Sequence, residues 1–261
     1  MHSGASVYAP EQTNGTVRML SDGHIGRMAV LMDYRHHGIG MALLQAVIST
    51  ARQINLYEVY LYAQSYAVDF YRRESFTDYG EEFMDANIPH LTMRLQLFKQ
   101  RQVGVHGGNF LPTSLKETAT ELIAQTEQKL RILSYALDPE CFDNDRMVKL
   151  FSTLARKSRY TELRILVVDP SQLIKRSHRL LNLQRRLSSN FKLRRVACDM
   201  NDIKNNLVLA DQCAIICQSI SEPEKIWANF NNKPVAATYI NQFDDLWERG
   251  LADKNLRQLE I

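Results

Sequence analysis

The chain has little of what assigns a protein to a specialised class. Its 261 residues include four cysteines, Cys141, Cys198, Cys213 and Cys217, and none forms a C-x-x-C pair. Cys213 and Cys217 are four apart in an apolar run that reads as strand, which would let them share a face. A metal site would need two more ligands, and no His/Cys cluster supplies them. Buried, reduced thiols and no metal are therefore expected. No apolar run approaches the roughly 18 residues of a membrane span. No charged-then-apolar leader opens the chain. Charge of either sign is scarce in net terms: 32 Lys and Arg against 29 Asp and Glu give +3, too little to imply a nucleic-acid partner by itself. Nucleotide signatures are missing too. Gly38-Ile39-Gly40 is followed by no third glycine at dinucleotide-binding spacing and by no Gly-Lys-Ser/Thr ending. What remains, 45% hydrophobic and 23% charged, is the composition of one or two globular domains, expected in the cytoplasm with no membrane partner.

What is present centres on Arg35-His36-His37-Gly38-Ile39-Gly40. An apolar strand, Ile25 to Leu31, precedes it. A helix follows, roughly Gly40 to Ile54, with Leu44, Val47, Ile48, Ala51 and Ile54 at helical spacing. Gly38 and Gly40 lack a Cβ, so a ligand can approach the backbone. The first amides of the helix have no intrahelical partner, and the helix dipole adds partial positive charge there. A strand, a glycine turn and a helix start together suit a pyrophosphate. Ahead of the strand, Asn14-Gly15 and Ser21-Asp22-Gly23 are turn signals. They predict an antiparallel meander of Ser6–Ala9, Thr16–Leu20 and the Ile25 strand.

The run Gly26-Arg27-Met28-Ala29-Val30-Leu31-Met32-Asp33-Tyr34-Arg35-His36-His37-Gly38-Ile39-Gly40 resembles the acyl-coenzyme A motif of the GNAT N-acetyltransferase superfamily. Glu58 to Gln64 resembles the next strand of that fold. Ala67 to Phe76 resembles its following helix and F-Y-x-x-x-G-F element, with Ser75 where glycine is usual. Gly80-Glu81-Glu82-Phe83, Ile88-Pro89-His90 and Met93 resemble the ending of one bacterial branch. The resemblance covers about residues 15 to 97. It implies a strand and two helices ahead of the meander, so this domain reads as a shortened copy or as one whose true start lies upstream.

The resemblance also implies a chemistry. Acetyl-CoA is the expected cosubstrate, held by Met28, Ala29, Val30, Arg35, His36, His37, Gly38, Ile39, Gly40, Met41, Gln64 and Tyr71. The coenzyme arm would lie between the Ile25 strand and the Leu56–Gln64 strand. An amine would attack the thioester directly, the backbone near Val30 polarising the carbonyl. Tyr71 would protonate the leaving thiolate; a tyrosine merely packing its ring is the structural alternative. Glu82 and His90, with Glu81 beside them, are candidates to take the amine's proton, since an imidazole suits that task at neutral pH. A binding module that holds acetyl-CoA without turnover is the alternative function. Self-association into a homodimer is open to either domain.

The composition of 98–112 reads as a linker, with His106-Gly107-Gly108-Asn109 flexible. Ser114-x-x-Glu117 is a capping box that opens a helix to about Gln128. Strands at Leu130–Leu137, Leu163–Val168, Phe191–Ala197, Leu207–Ala210 and Ala214–Gln218 follow, with helices at Asp145–Arg156, Gln172–Leu187 and Asn241–Arg249. The fold class is α/β: an α+β domain with a central, mostly antiparallel sheet over 1–97, then a second α/β domain over 113–261. The second half weakly resembles a phospholipase D-like domain. Where that family carries H-x-K-x-x-x-x-D, this chain has Lys204, Asn206 and Asp211, so no phosphodiesterase activity is expected; His178 does not restore the motif. Between Lys175 and Arg195 lie eight Lys and Arg and no acid. That strip reads as the solvated face of an amphipathic helix and a strand edge, and only weakly as a nucleic-acid contact.

Overall fold

A computed structural model of the chain describes residues 14–175, 179–197 and 203–251, the Gln172 side chain excepted. The Ser6–Ala9 strand, Cys198 and His178 lie outside the described residues. The chain divides into two compact units, residues 1–101 with 105–108 and residues 102–104 with 109–261.

In the first unit, β1 (Gly15–Met19) pairs antiparallel with β2 (Ile25–Val30). A single-turn 3-10 helix, Met32–Tyr34, leads to α1 (Ile39–Gln53). A second sheet orders β3 (Glu58–Gln64), β5 (Ile88–Gln96) and β4 (Thr77–Asp85), all antiparallel. Between β3 and β4 lies the short helix α2 (Val68–Arg72), whose Ser75 exit takes a left-handed conformation (φ 66°) where glycine was expected. The apolar stripe of α1, Leu44, Val47, Ile48 and Ala51, is buried. It joins one core with Ile25, Val59, Leu61, Ala63, Met93 and Leu95. Each such side chain removed from water contributes about 2 kcal/mol. Alternation along β3 sends Val59, Leu61 and Ala63 into that core and turns Tyr60, Tyr62 and Gln64 to the other face.

Among the described residues the two sheets are joined by backbone pairing at one place. Tyr60 N donates to Gly23 O (3.1 Å), and His24 forms an isolated parallel bridge with Tyr60. Beyond that bridge β2 and β3 share no ladder pairing among the described residues and belong to different sheets. Gly23 sits at φ 90°, and a Cβ there would lie 2.6 Å from Glu58 O. The 105–108 stretch is tied in rather than flexible: Gly107 N donates to Asn55 O (2.9 Å), and His106 is buried against Phe98.

The second unit is a six-stranded mixed sheet in the order β11-β10-β9-β6-β7-β8. Its strands are β6 (Lys129–Ser134), β7 (Glu162–Val167), β8 (Phe191–Arg195), β9 (Asn205–Ala210), β10 (Ala214–Ser219) and β11 (Ile226–Asn229). The first three are parallel; β9, β10 and β11 run antiparallel to their neighbours. Helices α3 (Leu115–Ala124), α4 (Pro139–Phe142), α5 (Asp145–Lys157), α6 (Ser171–Lys175) and α7 (Arg179–Arg186) complete the alternation before the terminal α8 (Lys233–Arg249). One face packs Leu122, Phe151, Leu163 and Leu180. The other packs Leu166, Leu209, Phe243 and Trp247, the last two from α8. Ser114 caps α3 by accepting from Glu117 N (3.3 Å), as the capping box predicts. Some elements differ from the sequence reading: β11 and the one-turn α4 carry too short a signal to be recognised, and α8 begins eight residues earlier, where Asn232 caps it by accepting from Val235 N. Cys213 and Cys217 do not share a face. Cys213 lies in the turn before β10 and packs with the first face, whereas Cys217 packs with the second.

Asp211, at φ 52° between β9 and β10, accepts from Gln128 N (2.8 Å) and Lys129 N (3.0 Å) through Oδ1 and from Glu127 N (3.0 Å) through Oδ2. Three backbone donors thus depend on one carboxylate.

Two outcomes follow from these contacts. Gly23→Ala forces a methyl against a backbone oxygen at a left-handed position and should cost at least about 2 kcal/mol in urea unfolding; wild-type stability would contradict the joint. Asp211→Ala should cost about 2–3 kcal/mol. Both tryptophans, Trp227 and Trp247, lie in the second unit, so their fluorescence reads that transition alone.

Candidate active site

The turn between β2 and α1 is built as a cradle of amides. Gly38 caps α1 in the left-handed conformation (φ 79°), with no side-chain cap, and a Cβ there would meet nothing within 4 Å. The amides of Ile39, Gly40 and Met41 therefore start a 15-residue helix with no intrahelical acceptor. Their partial charge adds to that of the helix dipole. Around them the loop holds itself: His37 Nδ1 donates to Arg35 O (2.8 Å), and Arg35 Nε donates to Val30 O (3.2 Å). Leu31 N donates to Asn14 O (2.8 Å). Arg35, His36 and His37 are exposed, and His36 adopts φ 62°. The first turn of α1 meets α2 here. A Cβ on Gly40 would lie 3.6 Å from Phe70 and 3.7 Å from Met28.

Tyr71 follows on α2, half-buried, its ring edge-on to Phe70 at 5.0 Å. Burial pushes its phenol up from the ordinary value, and the neighbouring Tyr66 pushes the same way. It stays protonated well above neutrality and is a standing hydrogen-bond donor. Tyr66 donates to Gln64 Oε1, at the last residue of β3.

Gln64, His90 and Phe83 stand in one row across β3, β5 and β4. Between Tyr79 and Phe83 the β4 strand bulges, with Gly80 at φ 77°, and this displaces Glu81 and Glu82 from the ladder. Ser65 Oγ donates to Glu82 Oε2 (2.6 Å), drawing that carboxylate to the end of β3. His90 is only 8% exposed and stacks on Phe83 at 6.0 Å. Its Nδ1 lies 2.8 Å from Ile88 O. A carbonyl only accepts, so Nδ1 carries the proton in the neutral ring and Nε2 presents a lone pair. Nε2 has no partner among the described residues. Glu82, His90 and Gln64 are thus gathered at one end of the sheet, while Met28, Ala29 and Val30 lie along the other wall of the split.

The same face carries residues that the sequence reading did not single out. His24 stacks on Tyr60 (4.9 Å) and leans on Tyr62 (5.0 Å), and Tyr62 meets Phe83 edge-on (5.4 Å). Tyr60 donates to Asp22 Oδ2 (3.0 Å), and burial, with that bond, lifts its phenol far above its usual range. The signal was there as the alternation Tyr60, Tyr62, Gln64, which tells which face a residue takes but not that the face is left open.

In the second unit, Asn206 accepts from Tyr135 N (2.8 Å) and reaches Gln218, lining a cleft of about 270 Å³ with Ser134 and Asp138. Lys204 lines a second cleft of about 400 Å³ with Tyr239, Asp245 and Arg249. Part of the basic strip is engaged structurally. Arg194 lies over Trp247 (4.5 Å), and Arg179 pairs with Asp145. Burial raises the Cys141 thiol to about 12 and lifts those of Cys213 and Cys217, so all three are inert at neutral pH. Among the described residues no His/Cys/Asp/Glu group is placed to hold a metal ion, and no helix is long and apolar enough to cross a membrane.

These two units correspond to two known families. Residues 3–97 match the acetyltransferase (GNAT) domain, so the first unit is a GNAT domain. Residues 112–259, more than half of the chain, match a domain of unknown function, DUF7931, and the chain belongs to that family. Two relatives come from Bacillus subtilis. An uncharacterized N-acetyltransferase, YjcF, is 35% identical over 91 residues, 33% of this chain and 65% of its own. The uncharacterized protein YyaT is 29% identical over 94 residues, 35% of this chain and 64% of its own. The chain thus spans just under two thirds of these relatives' length. Among solved structures, an acyl-CoA N-acyltransferase from Pseudomonas aeruginosa is similar at 29% identity, covering 33% of this chain and 63% of that one, with a TM-score of 0.32. The phospholipase D family member Nuc from Salmonella typhimurium is similar at 16% identity, covering 56% of this chain and 95% of that one, with a TM-score of 0.41.

The imidazoles make the first unit sensitive to acid. Burial lowers His24 below its ordinary value, opposed by Asp22 and aided by Arg18; burial, then Arg101, lowers His106. Between the folded value and the unfolded value of about 6.5 the unfolded chain binds more protons. Stability is then full above about pH 6.5 and falls as pH drops below it. Calorimetry between pH 7.5 and 5 should show a falling midpoint for this unit, with a shallower fall in His24→Gln. An unchanged slope in the variant would remove His24 from the account.

Proposed function

We propose that the first unit transfers an acetyl group from acetyl-CoA to a primary amine. The observation that carries this is the split between β2 and β3, whose β2 wall runs directly into the uncapped start of α1. The amides of Gly38 to Met41, with Arg35, His36 and His37 beside them, suit a pyrophosphate. Met28 to Val30 and Gln64 would flank the coenzyme arm. Because Leu31 N already donates to Asn14 O, the donor to the acetyl oxygen would be an amide within Met28–Val30.

The acceptor would enter from the Glu82 and His90 end. As an ammonium it is unreactive and must first lose a proton, to Glu82 or to water. Its nitrogen then attacks the thioester carbonyl, a C–N bond forms and the C–S bond breaks. The second nitrogen-bound proton passes to His90 Nε2, and the thiolate takes one from Tyr71, which solvent restores. The raised pKa of Tyr71 supports a donor that is never lost to ionisation, at the cost of weaker acidity.

Titration with acetyl-CoA, alongside thiol release with a set of amines, tests this. Binding should be measurable. Tyr71→Phe should lower kcat roughly 100-fold while acetyl-CoA still binds measurably. Failure to bind acetyl-CoA would overturn the reading of the turn. Full turnover in Tyr71→Phe would leave the turn standing and remove the acid.

A further inference from the structure

The sheet face opposite the core of the first unit is an aromatic surface. His24, Tyr60, Tyr62, Phe83 and His90 form an unbroken series of ring contacts, each between 4.9 and 6.0 Å. Tyr62, at its centre, is 48% exposed. Rings this size are rarely left to water without a partner, and they offer flat faces for offset or edge-on stacking.

The segment that forms one end of the series is acidic. From Glu74 to Met93 there are five carboxylates and no Lys or Arg. Asp78 is taken by Arg72 (2.5 Å). Glu81, Glu82 and Asp85 have no ion-pair partner among the described residues. His90 stands among them, nine-tenths buried, with Nε2 unpartnered. At the other end the signs cancel: Glu58 lies 3.7 Å from Arg94, and the Tyr60 hydroxyl occupies Asp22. The face therefore has one cation-seeking end, followed by ring surface.

We propose that the acceptor is an arylalkylamine, with its amine at Glu82 and His90 and its ring stacked on Tyr62 and Phe83. This rests on the acetyltransferase reading and specifies its substrate. Tyr62 and Phe83 are adjacent to the amine end, so two or three bonds suffice between nitrogen and ring. An α-carboxylate on the ligand would face Glu81 and Glu82 and be repelled. The face thus favours decarboxylated amines over the corresponding amino acids. A polyamine would need a second anionic patch, which the Tyr60 end does not supply.

The test is calorimetric titration of the full chain with tyramine and with tyrosine, which differ only in the carboxylate, followed by tryptamine, spermidine and a lysine-containing peptide. Tyramine should bind at least tenfold tighter than tyrosine. Tyr62→Leu should weaken tyramine about fivefold, the usual worth of one ring pair, and Tyr62→Phe should restore it. Both variants should bind acetyl-CoA as the wild type does. Equal binding of tyramine and tyrosine, an unaffected Tyr62→Leu, or tighter binding of spermidine or the peptide would each overturn the proposal. Acetyl-CoA binding without tyramine binding would defeat this assignment alone. Tyramine binding without acetyl-CoA binding would defeat the acetyltransferase reading and leave the ring site.

Discussion

Everything in the first unit hangs on the contact between Gly23 and Tyr60. One hydrogen bond joins the two sheets there, and no other residue type fits, because a Cβ would collide with Glu58 O. Fixing the strands together at their starts and releasing them beyond makes a wedge. Each strand then ends at a different half of the candidate site. β2 leads to the glycine turn and the amides of α1; β3 leads to Gln64, with His90 and Phe83 alongside. A flat continuous sheet would pair these edges and leave no room for a substrate between them.

The two ends are also opposite in charge. Arg35, His36 and His37 lie in the turn, while Glu82 is drawn to the end of β3 by Ser65, with Glu81 next to it in the chain. A phosphate-bearing ligand would be drawn to the first end and an ammonium to the second. Local conformation serves the same division. The left-handed Gly38 leaves helix amides open, and the bulge at Gly80 frees two glutamates from the ladder. Ser65 then spends a hydroxyl on holding one of them.

Much of this was legible in the sequence. Helical spacing located α1 to within a residue, because Leu44, Val47, Ile48 and Ala51 all face one core. The glycine turn was legible for the same reason, as were the hairpin around Asp211 and the Ser114 cap. Long-range contacts were not. The Tyr60–Gly23 bond joins residues 37 apart, and the stack on His24 depends on it. Alternation placed Tyr60 and Tyr62 on one face without saying what lies above them. The assignment of Cys213 and Cys217 to one face failed because period-two alternation holds only inside a strand; the left-handed Asp211 turn rotates Cys213 before β10 begins. The 105–108 stretch reads as linker by composition, yet backbone bonds from Asn55 and Tyr57 hold it.

Asn206 and Asp211 show how polar side chains can serve the fold. Asn206 accepts from the Tyr135 amide and reaches Gln218. Asp211 has a role that does not depend on chemistry. Its carboxylate gathers three amides from the segment entering β6, and so ties the β9–β10 turn to the start of the central strand. Replacing a nucleophile or a phosphate ligand changes what a cleft can do; replacing Asp211 strands three backbone donors in the fold itself. The position is therefore constrained by folding, and its presence carries no information about the reaction.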